Sequence, residues 1–443
     1  MDKAYKTNSL SLFGAVAMGT GVMIGAGIFA LTGQIAELAG DAFVWVFVAA
    51  AIATSFSAYS YVKLANAFPS AGGIAMFLEK AYGRTAVTAS AGLLMAFSMV
   101  INESLVARTF GTYTAQLFGW QASPIIIPAL GVGLILAAFA VNLLGNRVVS
   151  FFSVFLALVK VVGIAALALA GFWAAQGLTL EPGSVPAEPS EIGFLAALAL
   201  GVLAFKGFTT ITNSGSEIQD PHRNVGRAII LAILACVVVY IFVALAVGAS
   251  LPIDAIVAAK DFALAEAARP SFGDTGRLVT ILLAMLATAS GLVASVFAVS
   301  RMLGMLTDMQ LIPHRHFGMP GRIQTHMLVY TITLAAVMTI LFDLSRIAAL
   351  GAMLYLVMDL AVHWGVLRHL RQSVGANPLI VVMAILIDLA VLAGLIAVKL
   401  EQDPIIVGIA GMVIFSVYLF EIYFLKPRRS TEVKANHHHD HSG

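Results

Sequence analysis

Several ionisable side chains of this chain stand in apolar runs. Lys160 lies in FFSVFLALVKVVGIAALALAGF, Glu103 and Lys206 lie in two other runs, and Asp359, His363 and Asp388 lie in two more. A charge held in hydrocarbon costs several kcal/mol, so such a residue is read first as functional. Burial disfavours the charged form of an amine, and Lys160 is therefore a group that can load and release a proton. Snorkelling to an interface is a poor account of it, because it stands about twelve residues deep in its run; a fixed ion pair is the other reading. Asp359 and His363 are spaced (i, i+4) and share a helix face. They read either as a second proton path or as a structural hydrogen-bonded pair near one end of their span. Asp388 reads as a packing or oligomer contact. Ser290 and Ser295 could face Lys160, although serine in a span often bonds its own backbone.

The backbone is a second source of chemistry. Gly19, Gly21, Gly25 and Gly27 fall within GTGVMIGAGIF, and each glycine costs a helix interior about 1 kcal/mol relative to alanine. Phe205-Lys206-Gly207-Phe208 is followed by the polar Thr209, Thr210, Thr212, Asn213 and Ser214. Both stretches predict local unwinding. A continuous helix hides every N–H and C=O from lipid; a break frees some of them in mid-span. Freed N–H groups at a half-helix N-terminus suit a carboxylate, and freed C=O groups suit an ammonium. Together they make a receptor for an α-amino acid. The competing explanation is that the glycines allow close helix packing.

Spanning helices must position these groups. Of 443 residues, 60% are hydrophobic and 11% charged, against about 25% charged in a soluble domain. Too little charge is present to solvate a surface of this size, so lipid is the main solvent. The formal net charge of +2 argues against nucleic acid as partner. One cysteine, Cys236, excludes a disulfide framework. The first apolar run is too long for a signal peptide and no small-residue cleavage site follows. The tail His437-His438-His439-Asp440-His441 reads as a solvated end rather than a metal site, and no metal or cofactor is expected.

A span needs about 20 mostly apolar residues. Twelve such stretches are predicted, at 10–38, 42–68, 87–118, 124–144, 148–175, 192–216, 228–251, 278–307, 325–342, 347–367, 378–400 and 404–425. With the N-terminus inside, the inner segments hold fifteen Lys and Arg and the outer loops only Lys260, Arg269, Arg277 and Arg346. This positive-inside bias puts both termini in the cytoplasm of a multi-pass cell-membrane protein. The acidic, proline-rich stretch 176–191 and the stretch 252–277 are long outer loops, and an amphipathic segment at 253–268 reads as an interfacial helix, capping a pathway or passive. The interrupted spans one and six are five apart, so 10–175 and 192–367 form two five-helix repeats, with 378–425 as two added helices, 1–9 as a cytoplasmic N-terminus and 426–443 as a cytoplasmic tail. Interrupted helices at matching positions of two halves point to a secondary transporter's substrate site. The match of Gly25, Gly27 and Ala30 to a dinucleotide fingerprint falls inside a span, where the required βαβ unit is missing. No nucleophile, metal or cofactor motif appears, and an enzyme is not expected.

Four motifs in order resemble the amino acid–polyamine–organocation (APC) superfamily over nearly the whole chain. They are GVMIGAGIF in span one, FPSAGGIAMFLEKAYG after span two, SEIQDPHRNVGRAI after span six and SRMLGMLTDMQLIP at the end of span eight. The resemblance implies an all-α LeuT-type fold, a 5+5 inverted repeat with discontinuous helices one and six. It is strongest to archaeal proton-coupled amino-acid transporters, which implies symport by alternating access without sodium. It also implies that substrate contacts Met23, Ile24, Gly25, Ala26 and Gly27 with Phe205, Gly207 and Phe208, and that Lys160 is the coupling residue, bracing span one against span eight. Glu103 and Lys206 depart from the pattern, which is apolar at both. They pair with each other, or contact a charged substrate side chain, or sit in separate environments with Arg108 near Glu103. An amino-acid or polyamine exchanger is the alternative within transport, and a non-transporting sensor is the alternative outside it. The amino acids carried and the oligomeric state stay open.

Overall fold

A computed structural model describes residues 9–120, 123–144, 146–174, 190–312 and 323–439. The described chain is helical, and its only extended pairings are the isolated bridges Leu10–Ile218 and Ala71–Ser214. In order the helices are α1 (Leu12–Ala39), α2 (Phe43–Ala67), α3 (Gly73–Tyr82), α4 (Ala86–Phe118), α5 (Ile126–Leu143), α6 (Asn146–Ala174), α7 (Glu191–Phe205), α8 (Thr209–Thr212), α9 (Pro221–Ser250), α10 (Ile253–Ala259), α11 (Ala263–Ala267), α12 (Arg269–Asp308), α13 (Ile323–Leu341), α14 (Leu344–Gly365), α15 (Pro378–Gln402) and α16 (Pro404–His439). Among the described residues nine stretches are long and apolar enough to cross a membrane. The first, Leu12–Ala67, is 56 residues long, and Val159–Trp173 and Thr325–Leu341 are shorter apolar helices. Exposed Trp45, Trp173, Ile405 and Met412 mark apolar surface that lipid would cover.

Local chemistry sets the ends. Ser11, Ser190 and Asp343 accept from the backbone N–H three residues on, satisfying donors that a helix start leaves open. Pro221 and Pro378 open α9 and α15, where a missing N–H is harmless. Gly83 and Gly119 close α3 and α4 at positive φ, a conformation that suits glycine.

The unwinding expected in span one is not found: α1 runs unbroken from Leu12 to Ala39. None of its glycines before Gly40 has positive φ. Packing explains them instead. A Cβ on Gly27 would stand 2.8 Å from Ala204 O and 2.6 Å from the Tyr240 hydroxyl, one on Gly25 would stand 3.3 Å from Gly291 Cα, and one on Gly19 would stand 2.5 Å from Ile211. The glycines let α1 approach the backbones of α7 and α12 and the side chains of α8 and α9. The interruption expected in span six is present, as a 3-10 turn at Lys206–Phe208 followed by the short α8. The single amphipathic segment expected at 253–268 is three pieces, with a 3-10 turn at Lys260–Phe262 between α10 and α11. Lys260 adopts φ 36° there, because its backbone packs on Gly33 of α1, where a Cβ would come 2.1 Å from Lys260 O. The stretch 176–189 and Arg315 lie outside the described residues, as do the side chains of Arg147 and of His437 to His441.

α1 packs against α6, α7, α9 and α12, and α4 against α5, α12 and α14. Those contacts bring the sequence-marked residues into the interior of the bundle.

Candidate functional site

Lys160 of α6 is 1% exposed. Its Nζ donates to Gly21 O at 2.5 Å and to Ser290 Oγ at 2.8 Å. One amine thus ties α1 to α12 across α6. Ser290 Oγ donates in turn to Ala287 O at 3.1 Å. A Cβ at Gly21 would lie 3.6 Å from Nζ, an ordinary contact. The expectation that Ser290 faces Lys160 holds; Ser295 turns to Glu103 instead.

The 3-10 turn meets α1 directly. A Cβ on Gly207 would fall 2.5 Å from Met23 N. Tyr240 of α9 donates to Met23 O at 2.5 Å and lies 3.1 Å from Ala204 O, so its hydroxyl joins α1 to α7. Its ring packs on Phe205 at 4.8 Å between centroids. Met23, Ile24, Phe205 and Phe208 are all buried, and Gly25 and Gly27 face α12 and α7 as above. Ala26 is in the helix, with its side chain outside the described residues. The carbonyls of Gly21 and Met23 each accept from a side chain although α1 is continuous. A carbonyl has two lone pairs, so polar backbone is presented in mid-span without unwinding.

Glu103 and Lys206 do not pair. Lys206 donates to Ser98 Oγ and stands 4.6 Å from the centre of the Tyr355 ring, an arrangement that favours a cation. Ser98 in turn donates to Gly351 O at 2.9 Å. Glu103 accepts from Ser295 at 3.4 Å, and its Oε2, fully buried, has no hydrogen-bond partner. The helix explains the separation. Ser98 and Glu103 are five residues apart on α4, so they lie on different faces and about 7.5 Å apart along the axis. Arg108 is not Glu103's partner either, since it donates to Thr339 O at 2.9 Å and to Phe342 O.

A second cluster lies on the other side of the turn. Asp359 accepts from Ser57 at 2.6 Å and from Tyr61 at 2.5 Å. His363 Nε2 is 3.4 Å from Asp359 Oδ2 and 3.4 Å from Asp388 Oδ2, and its Nδ1 is 2.9 Å from Ser60 Oγ. The shared face of Asp359 and His363 was legible from spacing. Asp388, read as a peripheral packing residue, belongs to this cluster, because α15 packs on α2 and α14. Sequence reasoning passed over Tyr61, Tyr240 and Tyr355. For Tyr61 a signal existed, since Ser57, Ser60 and Tyr61 are polar residues spaced three and four apart in an apolar run.

Three of the sequence motifs meet at one end of the bundle. Leu10 and Ile218 form a bridge, Gly72 N donates to Asn213 O at 2.9 Å, and Glu217 pairs with Arg301. Gly72 turns there with φ 94°. The loop after α2, the segment before α9 and the end of α12 are therefore tied together.

Comparison with known proteins agrees with this arrangement. The profile of the family described as amino acid permease matches residues 10–437. The chain is 30% identical over 391 residues to the inner membrane transport protein YbaT of Escherichia coli K12, covering 87% of this chain and 89% of that protein. It is 34% identical over 295 residues to the uncharacterized protein MJ0609 of Methanocaldococcus jannaschii, covering 66% and 67%. It is 24% identical over 298 residues to the serine/threonine exchanger SteT of Bacillus subtilis, covering 65% and 64%. A helical bundle of apolar spans with buried polar groups at its centre, matched by this profile over nearly its whole length, belongs to the amino acid permease family of multi-pass membrane transporters.

Proposed function

We propose that this chain is a proton-coupled amino-acid symporter of the cell membrane, working by alternating access, with Lys160 as the coupling residue. The observation that carries the reading is the position of Lys160 Nζ between Gly21 O of α1 and Ser290 of α12. Protonated, the amine braces the two helices with charge-assisted hydrogen bonds, which are roughly twice as strong as neutral ones. Deprotonated, it holds them less firmly. No sodium ion is required in this scheme, because the ammonium supplies the positive charge.

The proposed architecture is a LeuT-type inverted repeat of twelve crossings with both termini cytoplasmic. Counting α1 and α2 as separate crossings of the first apolar stretch, and adding the two shorter apolar helices, supports that number. Substrate is taken to contact Met23, Ile24, Gly25, Ala26 and Gly27 of α1 together with Phe205, Gly207 and Phe208, a reading supported by the direct approach of Gly207 to Met23. Glu103 and Lys206, held by different partners, are included in this site. Opposite charges kept apart suit a zwitterion: the Lys206 ammonium faces the substrate carboxylate, and the unpartnered Glu103 Oε2 faces its ammonium.

The test is uptake of a labelled amino-acid panel into proteoliposomes, with and without an inward proton gradient, for wild type and Lys160→Ala. Gradient-stimulated uptake by wild type, lost in Lys160→Ala while substrate counterflow persists, is the expected result. Gradient-driven accumulation that survives Lys160→Ala removes the coupling assignment. Uptake that responds only to internal substrate and ignores the gradient replaces symport by exchange.

A further inference from the structure

We propose that Asp359, His363 and Asp388 form a second proton-binding site, distinct from Lys160, whose charge state is passed to the 3-10 turn after α7. The coordinating atoms of these residues all lie within 4.8 Å of one another and all three residues are buried. Two carboxylates that close cannot both stay ionised without a positive charge between them. The polar atoms confirm the shortage. His363 Nε2 and Asp388 Oδ2 point into the cluster and make no hydrogen bond, at 3.4 Å from each other. Adding a proton satisfies both atoms at once. In that step an O–H or N–H bond forms, the cluster's charge rises by one, and nothing is oxidised.

The surroundings fit a proton better than a metal. A first-row divalent ion in a protein site takes about four ligands. The cluster offers three residues, and both oxygens of Asp359 already accept short bonds from Ser57 and Tyr61. The charged and titratable groups facing it are few: Tyr61 from α2, Tyr355 from α14 and Lys206 from the 3-10 turn. Tyr82 of α3 spends its hydroxyl on Ala361 O at 2.5 Å.

Two routes lead to the turn. Tyr61 donates to Asp359 and sets its ring edge against Phe208, 5.3 Å between centroids. Tyr355 carries the Lys206 ammonium on its face. A change of charge at Asp359 alters its hold on Tyr61 and its attraction for Lys206, and both residues bear on the turn that faces Met23. The consequence for transport rests on the symport reading; proton binding by the cluster does not.

Infrared difference spectroscopy of the purified protein tests the site directly. Wild type should show a carboxylic-acid C=O band that appears on acidification and shifts in deuterated water. The band should vanish in Asp388→Asn, and its titration midpoint should move by at least tenfold in proton concentration in His363→Gln. A wild-type spectrum with no titrating carboxyl band, or a band unchanged in both variants, overturns the proposal. So does a stoichiometric divalent metal that is lost in His363→Gln. In proteoliposomes the variants should keep counterflow while the protons moved per substrate fall. A ratio equal to wild type in both overturns the coupling role. Absence of any amino-acid transport by wild type would refute the symport reading and leave the infrared result to decide the site.

Discussion

Replacing Lys160 by methionine separates bracing from folding. The substitution keeps the volume of the stem and deletes two hydrogen bonds, to Gly21 O and Ser290 Oγ. Bonds from a charged donor contribute about 1.5–3 kcal/mol each net, so the protonated amine holds α1 to α12 with about 3–6 kcal/mol. Neutral bonds are about half as strong, so loss of the proton releases about 1.5–3 kcal/mol, a shift of roughly 10- to 150-fold in a two-state population. That shift is what Lys160→Met removes. Stability should change far less. Gly21 O lies within a continuous helix, Ser290 keeps its bond to Ala287 O, and replacing a buried charge by an apolar side chain of similar volume is often neutral or stabilising. The expected result is a thermal midpoint close to wild type with conformer populations, read by single-molecule fluorescence between the two halves, that no longer respond to pH. A variant whose populations still shift tenfold or more with pH, with gradient-driven accumulation intact, refutes the reasoning. A variant that unfolds on extraction assigns Lys160 a structural role.

Other outcomes follow from the same contacts. Gly27→Ala should destabilise by about 1–3 kcal/mol, the usual range for overpacking, because its Cβ meets Ala204 O and the Tyr240 hydroxyl. Gly21→Ala, which meets only Lys160 Nζ at 3.6 Å, should be mild; equal thermal losses in the two would contradict the close-packing account of the glycines. Glu217→Ala removes the Glu217 carboxylate from the buried Arg301 guanidinium and should destabilise, measured as a fall in denaturant midpoint, with Glu217→Asp recovering part of it. Asp261, in the turn between α10 and α11, has its carboxyl raised above the ordinary range by burial, partly offset by Gln34 and Lys260. The folded protein therefore binds this proton more tightly than the unfolded chain, and the associated stability is present at low pH and is lost as pH rises from about 4 through the raised value. Normalised hydrogen exchange of α10 and α11 should accelerate over that window in wild type and be flat in Asp261→Asn.

The spans and the candidate residues were legible because hydrophobic runs and lone charges are properties of the local sequence. Lys160 as a charge deep in an apolar run and the span-six interruption were read from the local sequence, whereas the coupling role of Lys160 was implied by the resemblance. The error at span one has a physical source: a glycine run lowers helix propensity and also removes side chains from a contact surface, and only the neighbours decide which effect counts. Gly27 against Ala204 and Gly25 against Gly291 are contacts between segments more than 170 residues apart in sequence, invisible to any local window. The same holds for Asp388, which reads as isolated until α15 is laid against α2 and α14. A Glu103–Lys206 pair was one of three readings, drawn from their opposite charges; helix phase on α4 sends Lys206 to Ser98 and leaves Glu103 on another face.

The seam between α1 and α12 is made where Gly25 and Gly291 touch. Interlocking side chains normally fix the angle and register of two helices, because ridges of one sit in grooves of the other. A glycine-on-glycine contact has no ridge to climb. It works as a plain bearing, on which one rod can glide or rotate against the other without first repacking, and resistance to sliding is concentrated in the few polar ties that cross the seam. Small shear between packed helices is a common form of conformational change, and under the proposed coupling role the Lys160 amine, bonded to Gly21 O and Ser290 Oγ, would act as a removable pin across this seam.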